Sequence, residues 1–248
     1  MNYNWNWRIF GEQSPDGMGT YFDSFMHGLA WTLATAVLAW LIALLIGGLI
    51  GSLRTMPNRR VNWLCNAYIE LFRNVPLLVQ MFLWYFVLPE LLPASMGDWL
   101  KQLPNASFVT AVLCLGSYTS SRVAVQVSVG IHALPRGQRM AGTALGLTLL
   151  QTYRYVILPM ALRIIIPPLT NEFVNVVKNS ALALSIGLME LTAQARSMQE
   201  FSFQVFEAFT MATVMYLAIN LGIVSLMGLI ERRTAVPGMS LPGRRVKQ

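Results

Sequence analysis

Apolar residues in this chain come in long runs, without the alternation of a half-buried strand. Five runs reach the roughly 20 residues that cross a bilayer as a helix. They are Phe25 to Leu53, Trp63 to Leu88, Phe108 to Ile131, Ile164 to Leu188 and Phe206 to Ile230. Their continuity reads as helix, not barrel strand, so the expected fold is an all-α polytopic membrane protein of five transmembrane helices. Pro76 interrupts the second run and frees the carbonyl of Phe72 from its helical bond, so that carbonyl needs another donor. Gly47 and Gly51, one turn apart, let two backbones approach closely. No internal repeat is visible, and five spans do not divide into equal halves.

Between the third and fourth runs lies "RGQRMAGTALGLTLLQTYRYVILP", Arg136 to Pro159. It is too polar to cross a bilayer and too apolar to stand alone in water. Pro135 ends the preceding helix, and Arg136 and Gly137 read as a turn. From Gln138 the spacing is helical: Met140, Ala144 and Thr148 recur at i+4, as do Ala141 and Leu145. Gly146 permits a sharp change of direction. Thr148 reads as the N-cap of a second short helix to Leu158, and Pro159 as a block to continuation. The stretch carries no catalytic group, so its role is contact, either with a protein surface or flat in the headgroup layer.

Composition agrees with a membrane protein. The 248 residues are 55% hydrophobic and 12% charged, against about a quarter charged in soluble domains; mean hydropathy is +0.51. The net charge of +7 is spread among apolar runs rather than gathered in a stripe, which argues against nucleic acid. The start, "MNYNWNWRIFGEQSPDG", has no short apolar core with a small-residue cleavage site; Trp5 and Trp7 read as anchors at the membrane–water boundary. Cys65 and Cys114 match no metal spacing and read as packing residues.

Loop charges give an orientation. Arg54, Arg59 and Arg60 follow the first span, and Arg136, Arg139, Arg154 and Arg163 follow the third, with no acid among either group. The tail holds Arg232, Arg233, Arg244, Arg245 and Lys247 against Glu231. The other loops and the N-terminus are acidic on balance, through Glu12, Asp16, Asp23, Glu90, Asp98, Glu190, Glu200 and Glu207. Basic loops stay inside. This divides the chain into an outer N-terminal segment (1–24), a membrane domain (25–231) and a basic cytoplasmic tail (232–248).

Five charged residues fall in or at the edge of spans: Glu70, Arg73, Arg122, Glu172 and Lys178. A charge at the centre of a spanning helix costs about 2.5–3.5 kcal/mol on insertion scales, so each needs a reason. Glu70 and Arg73, three apart, either pair on their own helix or line a polar path. Arg122 and Lys178 have no acid one turn away and point to function, and Glu172 is too far along the chain from Lys178 for a helix-face pair.

"QRMAGTALG" followed by "VILP" resembles the EAA loop of permease subunits of bacterial ATP-driven importers. The family pattern is Glu-Ala-Ala, three residues, Gly, nine residues, then Ile-x-Leu-Pro. Gly146, Val156, Leu158 and Pro159 keep the spacing; Met140 replaces the Glu, Ala141 matches, and Gly142 replaces the second Ala. "ELFRNVPLLVQ" (Glu70 to Gln80) is similar to the second-span signature of polar amino acid importers, often ELFRGTPLLVQ. "NEFVNVVKNSALALSIGL" (Asn171 to Leu188) is similar to their fourth-span segment, and the whole looks most like glutamate/aspartate permeases. Val125 and Ser128 stand where relatives commonly have a Glu and an Arg. Arg122 stands where many relatives carrying other amino acids have Tyr.

The resemblance implies a type I ABC importer transmembrane domain in the bacterial inner membrane. It implies two ATP-binding subunits contacting Met140, Ala141, Gly142, Gly146, Leu158 and Pro159, a sister permease or second copy, and a periplasmic amino-acid-binding protein. No GxxxxGK[ST] loop occurs in the sequence, so ATP and Mg belong on the partner ATPase, and this chain needs no cofactor or metal. The substrate residues it suggests are Arg122 and Lys178 for carboxylates, Asn175 and Asn179 for hydrogen bonds, and Arg73 assisting. Two other classes remain open at this point. One is an ion-gradient-driven secondary transporter, which intramembrane charges also fit; the other is a membrane enzyme. Within the importer class, another polar amino acid is the alternative cargo.

Overall fold

A computed structural model describes residues 3–17 and 19–234. The helices run α1 (Tyr21–Leu53), α2 (Arg59–Asn74), α3 (Leu77–Leu91), α4 (Ala94–Lys101), α5 (Ala106–His132), α6 (Arg136–Ala144), α7 (Leu149–Ile186), α8 (Leu191–Ser202) and α9 (Val205–Thr234). Among the described residues no strand forms beyond one isolated bridge, Gln13 to Thr20. Arg244, Arg245 and Lys247 of the basic tail lie outside the described residues.

Four of the five expected spans are continuous helices: α1, α5, α7 and α9. The second is not a straight span, because α2 and α3 meet at a 99° bend. Pro76 has no N–H, and it forces Val75 into extended backbone (φ −94°, ψ 128°), as a residue before proline prefers. The freed carbonyls find one donor: Gln80 Nε2 lies 2.8 Å from both Phe72 O and Val75 O. The amide four residues beyond the proline thus fills the vacancy the proline creates.

α7 departs furthest from the sequence reading. Pro159 does not end a helix. A π-helical turn over Tyr153–Ile157 leads into it, with the Leu158 N–H donating to Tyr153 O, and the helix continues to Ser180 through Pro159, Pro167 and Pro168. The wider i→i+5 turn relieves the clash of the proline ring with the preceding turn. α3 repeats the device: a π turn over Leu83–Val87 precedes Pro89. The fourth span therefore begins inside the polar stretch, at Leu149. The expected turn at Arg136 and Gly137 is also helical, being the start of α6 after its N-cap Pro135.

α5 lies at the centre. Gly47 and Gly51 of α1 press against it, as their spacing suggests. A Cβ added at Gly47 would lie 2.6 Å from Ser120 O, and one at Gly51 2.6 Å from Ala124 O. From the other side, Gly130 of α5 receives Ile165 of α7. The core between these helices gathers Ala36, Trp40, Leu115, Val127, Ile165 and Val176. Cys65 and Cys114 are free and buried, as packing residues should be.

A second core joins Ile9, Phe10 and Phe25 to Leu191, Met198 and Ala208. It holds the N-terminal segment against α8 and α9. Glu207, fully buried, accepts the Asn6 N–H at 2.7 Å and a short hydrogen bond from the Tyr3 hydroxyl. Trp5 and Trp7 stack on each other and stay half exposed, a placement that suits interfacial anchors.

The α1–α5 seam yields a prediction. Gly51→Ala forces backbone apart and is expected to destabilise by about 1–3 kcal/mol. Gly48 has nothing within 4 Å of an added Cβ, so Gly48→Ala should be neutral or stabilise by up to about 1 kcal/mol. Thermal unfolding of the two variants in one detergent measures the contrast; equal midpoints would refute a tight seam.

Candidate functional site

Arg122 sits midway along α5, and its guanidinium grips a carboxylate from α7. Nε lies 2.7 Å from Glu172 Oε2 and Nη2 3.2 Å from Glu172 Oε1, the two-pronged geometry that makes arginine–carboxylate pairs strong and directional. The Glu172 side chain is 7% exposed and that of Arg122 39%. The carboxylate is enclosed, whereas one edge of the guanidinium remains open. No acid lies one turn away on its own helix, as the sequence shows; the acid comes from another helix, fifty residues on. Phe173, next to Glu172, stacks on Trp40 of α1 with ring centroids 5.0 Å apart, which helps fix this part of α7.

Further along α7, Asn171, Asn175 and Lys178 recur at i, i+4 and i+7, one helix face. Lys178 is exposed and Asn175 and Asn179 half-buried. None of these three side chains takes part in a hydrogen bond or ion pair among the described residues. Their donors are free on the same helix that carries Glu172. Arg73 and Glu70 lie on the exposed face of α2, and of the two readings left open for them the pairing does not form. No contact brings Arg73 to the Arg122 cluster.

At the opposite end of α7 from Lys178, α6 and the first turns of α7 form a hairpin. Gly146 turns it at φ +74°, where other residues would be strained. Thr148 caps α7 as its sequence suggests, with a reciprocal bond from Gln151. Gly142, standing where the family pattern has Ala, is buried, and a Cβ there would meet Thr152 Cγ2 at 2.7 Å. Leu158 packs on the core. These two shape the hairpin from within, while Met140, Ala141, Gly146 and Pro159 are exposed. Leu145 and Leu150 share that outward surface at 79% and 70% exposure, and spacing at i+4 from Ala141 already pointed to the first.

The sequence reading missed Glu190, counted only as loop charge. Its carboxylate caps α8 through the Thr192 and Ala193 N–H groups at 2.9 and 2.8 Å, and accepts the Tyr216 hydroxyl of α9 at 2.8 Å. Leu191 N donates to Thr32 Oγ1 of α1 at 3.1 Å. Burial pushes the Glu190 carboxyl up, and those donors pull it partly back. The Glu190 side chain thus ties the start of α8 to α9, and the Leu191 N–H ties it to α1.

Comparisons with known proteins agree with this architecture. Residues 43–236 match the family described as binding-protein-dependent transport system inner membrane component. The chain is 48% identical over 241 residues to the glutamate/aspartate import permease protein GltJ of Escherichia coli K12, covering 96% of this chain and 98% of that one. It is 30% identical to the probable glutamine ABC transporter permease protein GlnM of Bacillus subtilis, over 88% of this chain and 94% of that one. Among solved structures, an amino acid ABC transporter crystallised with histidines superposes with a TM-score of 0.73 at 33% identity, covering 86% and 95% of the two chains. The inward-facing methionine transporter MetNI shares the fold, with a TM-score of 0.69 at 19% identity over 86% and 96%.

The ion pair makes its own prediction. Arg122→Leu strands a buried carboxylate and should destabilise by about 1–3 kcal/mol, less than a fully buried pair because the arginine is partly open. The double variant Arg122→Leu/Glu172→Leu should recover most of that loss. Unfolding midpoints across the four-member cycle test this; additive losses would mean the two residues do not interact.

Proposed function

Because the chain belongs to the family of inner membrane components of binding-protein-dependent transport systems, we propose that it is the permease subunit of an ATP-driven importer of acidic amino acids. The observation that carries the substrate is the charge of the site. Arg122 pairs with Glu172, and Lys178, six residues beyond Glu172 on α7 and without a partner among the described residues, adds a second cation. A passenger with two carboxylates and one ammonium has the complementary balance. Its ammonium suits Glu172, its carboxylates suit Arg122 and Lys178, and Asn175 and Asn179 supply neutral hydrogen bonds.

The name of the glutamate/aspartate permease relative agrees with this chemistry. The membership removes the ground for the ion-gradient transporter and the membrane enzyme. A neutral cargo such as glutamine would leave one cation without a partner.

The assembly follows from what the chain lacks. Without a nucleotide-binding loop of its own, it takes its energy from two ATP-binding subunits that carry ATP and Mg. The hairpin of α6 and the start of α7 is their docking face. Glu70 and Arg73, on the open face of α2, would be costly against lipid. A second permease, a sister or another copy, gives them a polar neighbour, and the path between the two permeases is where Arg73 assists. Basic loops put the hairpin and residues 232–248 in the cytoplasm, and residues 1–24 outside, where a periplasmic binding protein delivers the substrate.

Arg122→Tyr is the direct test, in vesicles holding the intact complex and loaded binding protein. Uptake of labelled glutamate should fall on the order of tenfold or more, the size of a lost hydrogen bond to a charged group. ATP hydrolysis should persist. Unchanged affinity and rate would remove Arg122 from the substrate path.

A further inference from the structure

The hairpin meets the rest of the bundle at a buried hydroxyl. Tyr153, 3% exposed, opens the π turn of α7. Its hydroxyl donates to Thr55 O at 2.9 Å and lies 3.0 Å from Thr55 Oγ1. Thr55 sits just beyond the end of α1, tied to it by bonds from its own N–H and hydroxyl to Ser52 O at 3.2 and 2.8 Å. The link joins residues 98 apart in sequence.

What lies on either side of the link gives it meaning. Glu172 belongs to α7, the same continuous helix as Tyr153. Arg122 belongs to α5, which is locked to α1 along the glycine seam. The two halves of the ion pair therefore connect to the hairpin by different routes. Glu172 connects along α7 and Arg122 along α5, which passes through residues 133–135 into α6. The Tyr153–Thr55 bond is a cross-tie that joins the α7 side of the hairpin to α1, and through the glycine seam to α5. The π turn between hairpin and membrane is a discrete backbone alternative to an α turn. Beside it lies a cavity of about 270 Å³, lined by Thr55, His132, Gln138 and Tyr153 among others, so the link has room to shift.

We propose that Tyr153 is a positioning residue for transport. Its hydroxyl passes a displacement of the hairpin to the α1–α5 arm that carries Arg122, while α7 passes the same displacement to Glu172. This rests on the reading that the hairpin docks ATP-binding subunits. Chains of packed side chains carry coupling only where a measured interaction backs them, and the link is accessible to that measurement.

The experiment uses the whole complex in liposomes, measuring labelled glutamate taken up per ATP hydrolysed. Tyr153→Phe keeps the ring and removes the hydroxyl. We expect the complex to assemble and hydrolyse ATP, with uptake per ATP down about threefold to tenfold, the range of one net hydrogen bond. Thr55→Val, which removes the second oxygen, should lower the ratio about twofold, and the double variant should fall short of the product of the two effects. A merely structural role would lower yield, or slow hydrolysis and uptake together, leaving the ratio unchanged. An unchanged ratio in both single variants overturns the inference. Uptake by the unsubstituted complex without ATP would instead overturn the docking reading beneath it, so the two failures are distinct.

Discussion

Hydrocarbon offers no hydrogen bonds, and most of this structure follows from that constraint. A carbonyl released by a proline, or a charge enclosed in the bundle, is costly unless it finds a partner in the protein. Gln80 answers Pro76. The π turns answer Pro89 and Pro159. Hydroxyls inside the spans turn back on their own helices: Ser120 donates to Ser117 O, Ser128 to Ala124 O, and Ser180 to Val177 O. Ser128, which stands where relatives commonly have Arg, is buried at the α1–α5 seam, 3.4 Å from Gly51 O. A small side chain there goes with the close approach that Gly51 allows.

The same constraint explains why the site is an ion pair and not a lone cation. An enclosed carboxylate such as that of Glu172 is expensive without a cation, so it is held by the Arg122 guanidinium. On the proposed function, a substrate of opposite balance would exchange partners with that pair without leaving a charge bare. Opening then needs relative motion of α5 and α7 more than it needs a new pocket. Both helices lead directly into the hairpin, α5 through residues 133–135 and α7 as its second arm, and the Tyr153–Thr55 bond ties that arm to α1 as well. The far end of the same α7 runs through Gly187, in left-handed backbone at φ +84°, into α8, where Glu190 holds the chain to α9 and the Leu191 N–H holds it to α1. One helix thus spans from hairpin through site to the opposite cap.

Much of this was legible from residues alone. Apolar runs located the spans, Gly47 and Gly51 marked the seam, Gly146 and Thr148 marked the turn and cap of the hairpin, and Pro76 announced an orphaned carbonyl. What escaped was whatever depends on residues distant in sequence or on backbone forms outside the α-helix. Glu172 could not be assigned to Arg122 because the helical rule looks only three or four residues away. Glu70 and Arg73 obey that rule and still do not pair. Proline reads as a stop, yet here the preceding turn widens and the helix runs on. Tyr153 and Glu190 carried no local signal of a partner, since Thr55 and Tyr216 reach them only after the chain has folded.

The hairpin surface carries the synthesis one step further. Met140, where the family pattern has Glu, is 70% exposed, and Leu145 and Leu150 are 79% and 70% exposed. Burying a large aliphatic side chain contributes about 1.5–3 kcal/mol, so three of them outweigh the roughly 0–1 kcal/mol of one surface ion pair. Replacing the Glu by Met therefore does not empty the docking face; it changes its chemistry from a polar contact to an apolar one. Gly142 compensates in shape, since the missing methyl group lets α6 lie closer to Thr152 and leaves the turn at Gly146 intact. On the proposed docking role, a socket for this hairpin would present an apolar groove to Met140, Leu145 and Leu150, which would restrict the ATP-binding subunits it accepts.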